Sequence, residues 1–148
     1  MPISATASIT ELYAQVQQFY ARQVHHLDER RVEPFAATFT EDGVFAHTPL
    51  EPPARGRRGI AAAVREFNER RFADSPAVRR HWFNMLAVDP QADGTVHTMF
   101  YALIITTRPG EQPVVAPSCT VRDVLVLENG ELLLRSRLVE HDQLVRNH

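Results

Sequence analysis

Residues 121–137 read VRDVLVLENGELLLRSR, and the fold follows from them. Asn129-Gly130 lies between two runs rich in valine and leucine. That is a strong hairpin signal, because a type I′ turn needs φ > 0 at both central residues. A two-residue loop then predicts the register. Glu128 faces Glu131, Leu127 faces Leu132, Leu125 faces Leu134, Asp123 faces Ser136, and Cys119 faces Glu140. Side chains alternate along a strand, so the leucine face is the inner one. It takes Cys119, Asp123, Leu138 and Glu140 inward and leaves Arg122, Arg135 and Arg137 outside.

Two more turn signals, RPGEQP (108–113) and DPQADG (89–94), extend the pattern backward. The runs 78–88, 95–107, 114–127 and 131–141 are dominated by β-branched, aromatic and leucine residues, the signature of an antiparallel meander. They exceed the usual strand length of about 5–6 residues, so they must coil strongly. Pairing Arg108 with Pro113 sets Ala102 beside Cys119 and Phe100 beside Val121. Pairing Val88 with Thr95 sets His81 beside Ala102 and Phe83 beside Phe100. The inner face then holds His81, Phe83, Met85 and Phe100, while Arg80, Trp82, Asn84 and Tyr101 face out. A single bulge would reverse a strand's assignment.

The first half of the chain has a different period. Ser8 and Glu11 have capping-box spacing. Ile9, Leu12, Tyr13, Val16, Phe19, Tyr20, Val24 and Leu27 then recur every three or four residues, which predicts a helix of about twenty residues. A short helix opens at Glu33-Pro34, a short strand spans VFAHT (44–48), a proline-rich loop follows, and a third helix covers about 58–71. ADSP (73–76) breaks that helix. Helices first and a long-stranded sheet after them predict an α+β fold whose curved sheet wraps around three N-terminal helices. With 148 residues, the chain is expected to be one domain, 1–148.

Composition excludes several function classes. Hydrophobic residues make up 44% and the net charge is −2, with no clustered basic block, so nucleic acid is not an expected partner. One cysteine excludes a disulfide framework or a cysteine-rich zinc site, and no histidine–carboxylate set has metal-ligand spacing. No run approaches 18 apolar residues, and MPISATASITELYAQ lacks a basic n-region and an apolar h-region. A cytoplasmic protein without a membrane span is expected. Trp82 and Tyr101, with outward arginines beside them, suit a homodimer interface.

An apolar concave face with a few convergent polar groups is the usual form of a small-molecule pocket. Asp123 and Glu140 on that face are either paired or functional, because an unpaired buried charge is costly. His81 is either a structural histidine satisfied by a backbone carbonyl or an acid/base group. Cys119 reads as a small apolar residue of the pocket wall.

YARQVHHLDERRVEPFAATFTEDGVFAHT (20–48), RRHWFNMLAV (79–88) and RSRLVEHD (135–142) resemble, in order, segments of SnoaL-like proteins of the nuclear-transport-factor-2-like superfamily. The likeness covers roughly residues 10–142. It implies a cone-shaped α+β barrel enclosing a pocket, and cofactor-independent acid/base chemistry. Members tailor aromatic polyketides as cyclases or dehydratases and include scytalone dehydratase. Others are double-bond isomerases or non-catalytic dioxygenase β subunits, and both remain alternatives. By position, the resemblance makes Asp28 the partner of His81 and puts His47 near a pocket tyrosine of the dehydratase. It implies His81 and Asp28 as the catalytic pair, Glu140 or Asp123 as a second acid/base, and Phe45, Phe83, Phe100 and Leu138 as holders of a flat substrate.

Overall fold

The computed structural model describes residues 8–48, 51–72 and 75–144. Parts of the expected loops at 49–56 and 73–76 lie outside them. The elements run α1 (Ile9–Asp28), α2 (Val32–Ala36), β1 (Phe39–Thr48), β2 (Ala54–Arg55), α3 (Gly56–Phe72), β3 (Val78–Pro90), β4 (Val96–Thr107), β5 (Val114–Glu128) and β6 (Glu131–His141), with a 3-10 turn at Asp142–Leu144. Ser8 caps α1, its hydroxyl accepting from the Glu11 N–H at 3.1 Å. Leu12, Val16, Tyr20 and Val24, spaced by one turn, form the buried stripe of α1.

The sheet has the order β2-β1-β6-β5-β4-β3. It is mixed, because β1 runs parallel to β6 while the other pairs are antiparallel. It stays open, with β2 and β3 at its edges, so the cone is a curved sheet closed off by helices. Phe35, Phe39, Ile60, Phe100, Leu125 and Leu134 are fully buried between sheet and helices.

The hairpin at Asn129-Gly130 pairs as expected as far as Leu125 and Leu134. The ladder then shifts. Val124 pairs with Ser136, Asp123 with Arg137 and Thr120 with Glu140, which leaves Arg135 as an extra residue. Every side chain beyond this bulge changes face. Arg137, Val139 and His141 turn inward, and the expected inward placement of Leu138 and Glu140 is corrected. Glu140 lies outside, 3.4 Å from the Arg122 guanidinium. The physical reason is charge. The straight register would set Ser136 against Asp123 and leave a buried carboxylate without a cation.

A second bulge lies in β3 between Asn84 and Ala87. Met85 takes φ 58°, its N–H bonds the Asn84 side chain at 2.8 Å, and its own side chain is 65% exposed. The expected inward Met85 is therefore also corrected; Leu86 and Val88 pack on the core instead. Before this bulge the expected β3–β4 register is off by two residues, with His81 opposite Ile104 and Phe83 opposite Ala102, and after it by three, with Val88 opposite Thr98. An even shift preserves the face, so His81 and Phe83 do point inward. The β4–β5 pairs Ala102–Cys119 and Phe100–Val121 are as expected.

Candidate active site

β3 is an edge strand, so half of its N–H groups have no sheet partner. The end of α1 supplies one. Asp28, its last residue, accepts the His81 backbone N–H with both carboxylate oxygens, each at 3.2 Å. The same carboxylate lies 2.6 Å from His81 Nδ1. A helix C-terminus is the unfavourable end for a carboxylate, so these bonds offset a real cost. The side chains of His81 and Asp28 are 12% and 11% exposed.

A carboxylate only accepts, so the proton sits on Nδ1 and leaves Nε2 as the free base. Arg79 Nη1, itself only a donor, lies 3.4 Å from Nε2 and agrees with this tautomer. Burial pushes the His81 pKa below its usual value; the Asp28 hydrogen bond opposes this and the Arg79 charge adds to it. His81 is thus a neutral, oriented base near neutral pH.

The pair opens on a cavity of about 590 Å³. Of the residues singled out in the sequence, Phe45, His47, Phe83 and Cys119 also line it. Phe100 lies behind Phe83, ring centroids 4.5 Å apart, and is off the lining. Burial raises the Cys119 thiol to about 11, which keeps it a protonated wall residue.

Asp123 does point inward, but it is sealed beneath the cavity floor with its side chain fully buried. It accepts from Arg137 Nε at 3.0 Å and Nη2 at 2.9 Å, and from the Tyr20 hydroxyl at 2.6 Å. Tyr20 also meets Thr98 at 2.6 Å, and Gln23 Oε1 accepts from Arg137 Nη2 at 2.7 Å. Burial works against the Arg137 charge, but the charge and hydrogen bonds of Asp123 outweigh it and raise its pKa.

The ionisable cavity residues that sequence reasoning missed include Arg79, Arg137 and His141. Arg137 and His141 are carried in by the bulge. Arg79 reaches in from the cavity's edge, its guanidinium 4.9 Å from the Phe67 ring centre. Alternation from His81 already puts Arg79 on the inner face; for Arg137 the signal was the inward Asp123, which needed a cation. Among the described residues no group of histidine, cysteine and carboxylate side chains could hold a metal ion, and no helix is long and apolar enough to cross a membrane.

His47 stacks on Phe45 at 4.8 Å and meets His141 edge-on at 5.8 Å. Burial, helped by His141 and Arg137, lowers its pKa from the usual 6.5 to about 4. Between these values the unfolded ring takes up a proton that the folded one refuses, so stability falls as pH drops through that window. A His47→Phe variant is expected to lose about 2 kcal/mol less than the wild type between neutral pH and about pH 4.5. Urea unfolding at the two pH values measures the difference, and parallel losses would contradict it.

A profile of the SnoaL-like domain family matches residues 8–138. The chain belongs to the SnoaL-like domain family. Solved SnoaL-like relatives share the fold along nearly their whole length. A protein from Catenulispora acidiphila, solved in complex with S-DNPA, is 52% identical, with TM-score 0.83 over 90% of this chain and 96% of that one. ActVI-ORFA from Streptomyces coelicolor is 44% identical, with TM-score 0.84 over 90% and 98% of the two chains. Aln2 from a Streptomyces species is 40% identical, with TM-score 0.85 over 93% and 95%. No curated protein sequence matches the chain significantly.

Proposed function

We propose that this SnoaL-like chain is a cofactor-independent cyclase or dehydratase that tailors an aromatic polyketide intermediate. One observation carries the reading: a buried Asp28–His81 pair at 2.6 Å whose ring lines a largely apolar cavity of about 590 Å³. His81 Nε2 takes a proton from a carbon next to a carbonyl, or from a hydroxyl that adds to a conjugated acceptor. Asp28 stabilises the imidazolium that forms. The imidazolium returns the proton to a leaving hydroxyl, which departs as water, or to carbon after ring closure. Phe45 and Phe83 hold the flat substrate. The S-DNPA complex of the Catenulispora relative supports a small-molecule ligand.

Incubating the protein with aromatic polyketide intermediates tests this. Dehydration lowers product mass by one water, and cyclisation gives an isomer with a new ring. Deuterium uptake from heavy water without a new ring would favour an isomerase instead. No turnover, together with co-purification of a larger partner, would favour a non-catalytic binding subunit.

The outer sheet face suits pairing with a second copy. Trp82, Tyr101 and Leu103 are 62%, 53% and 41% exposed there. A Trp82→Glu variant is expected to weaken the dimer at least about tenfold, from burying a charge in an apolar contact. Sedimentation measures it, and a monomeric wild type would refute the dimer.

A further inference from the structure

The acid/base chemistry of Asp28 and His81, with Phe45 and Phe83 holding the ring, leaves one buried cation without a role. Arg137 is 3% exposed and lines the cavity. Its Nε and Nη2 are taken by Asp123, and Nη2 also by Gln23. Nη1 has no hydrogen-bond partner among the described residues. Yet no buried polar side-chain atom there is left without one. Nη1 is therefore the guanidinium nitrogen that no described residue takes, on a side chain that lines the cavity.

The surroundings hold it in that position. Asp123 grips one edge of the guanidinium at two points, and Gln23, bonded in turn to Thr38 at 2.8 Å, holds Nη2. The Phe83 and Phe100 ring centres lie 5.4 and 5.8 Å from the guanidinium carbon, the Tyr20 centre 5.6 Å. A donor held in place before the reaction is what a developing oxyanion needs.

We propose that Arg137 Nη1 is the oxyanion donor of this cavity, binding the enolate or phenolate oxygen of a flat aromatic ligand that lies against Phe83. The paired edge of the guanidinium is already committed to Asp123. A carboxylate would want two parallel N–H groups, whereas a single oxygen needs one. When His81 removes a proton next to a carbonyl, the electron pair moves onto the carbonyl oxygen, and Arg137 stabilises it there. The inference rests on the acid/base reading for its catalytic use; the ligand preference stands without it. Asp123, Gln23 and Tyr20 are then positioning residues.

Binding of 4-nitrophenol and of 4-nitroanisole tests the proposal without turnover. The two ligands share a ring, and only the first ionises; absorbance reports its charge state. The wild type is expected to bind the phenolate roughly 10- to 100-fold more tightly than the ether, and to lower the apparent pKa of the bound phenol. Arg137→Gln with Asp123→Asn removes both charges and leaves no buried ion unpaired; it is expected to abolish that preference while keeping ether affinity. Equal wild-type affinity for the two ligands overturns the proposal whether or not the variant folds. So does a preference that survives in the double variant, or one lost instead in Arg79→Met. Benzoate bound in an Arg137-dependent way more tightly than the phenolate would overturn it in favour of a carboxylate anchor. Absence of turnover on polyketide intermediates, with the phenolate preference intact, would refute the proposed function and leave the donor standing.

Discussion

Asp123→Ala is expected to destabilise the protein by about 3–5 kcal/mol, because it strands a buried guanidinium. Arg137 would keep only its bond to Gln23, and the Tyr20 hydroxyl only its bond to Thr98. The side chains of Asp123 and Arg137 are 0% and 3% exposed, so water cannot replace the carboxylate cheaply. Removing one partner differs from removing both. The Arg137→Gln/Asp123→Asn pair leaves amides that can bond each other, and its loss is expected to be smaller than that of Asp123→Ala alone. Urea midpoints with the slope monitored measure both. A loss below about 1 kcal/mol for Asp123→Ala would show that the ion pair is not the lock between β5 and β6.

His81→Gln is expected to lower kcat by about 10²–10⁴ on whatever intermediate the protein turns over, the usual range for losing a positioned acid/base group. Asp28→Asn keeps an acceptor for the His81 backbone N–H but removes the carboxylate that fixes the ring and steadies its positive form. A loss at the lower end of that range is expected. The pH dependence has a defined sign. Burial lowers the His81 pKa, so the base form persists as pH falls below 6.5, and activity drops only through the lower folded value. In Asp28→Asn the carboxylate charge that strengthens this hydrogen bond and raises the pKa is gone, so the acid limb moves lower still. Folded variants within about threefold of wild-type rate would end the assignment of His81 as acid/base.

Most of the architecture was legible because it depends on local period. The one-turn stripe of α1, the break into three helices and the Asn129-Gly130 turn all sit within windows of a few residues. His81 and Phe83 were placed inward despite a register error, because strand alternation survives an even shift. Asp28 was found only through the family likeness. Nothing local joins it to His81, 53 residues away.

Met85, Leu138 and Glu140 were misplaced for one shared reason. A bulge adds a single residue, and its local cost is small beside what it does to every side chain after it. At Arg135 the gain is the burial of Arg137 against Asp123. Neither that pairing nor the Nη1 that no described residue takes can be read from alternation, since both depend on partners brought together across strands and from α1.

By itself the sequence determined the three helices, the four long strands, the α+β class, the hairpin turn and a mostly apolar inner face holding His81, Phe83, Cys119 and Asp123, but it took the short strand β2 for loop. Only the tertiary structure decided which ionisable groups reach the cavity. It sent Glu140 out to Arg122, sealed Asp123 under Arg137, and brought Asp28 onto His81. Periodicity is a property of neighbouring residues, whereas the cost of burying a charge is set by whichever distant group can neutralise it.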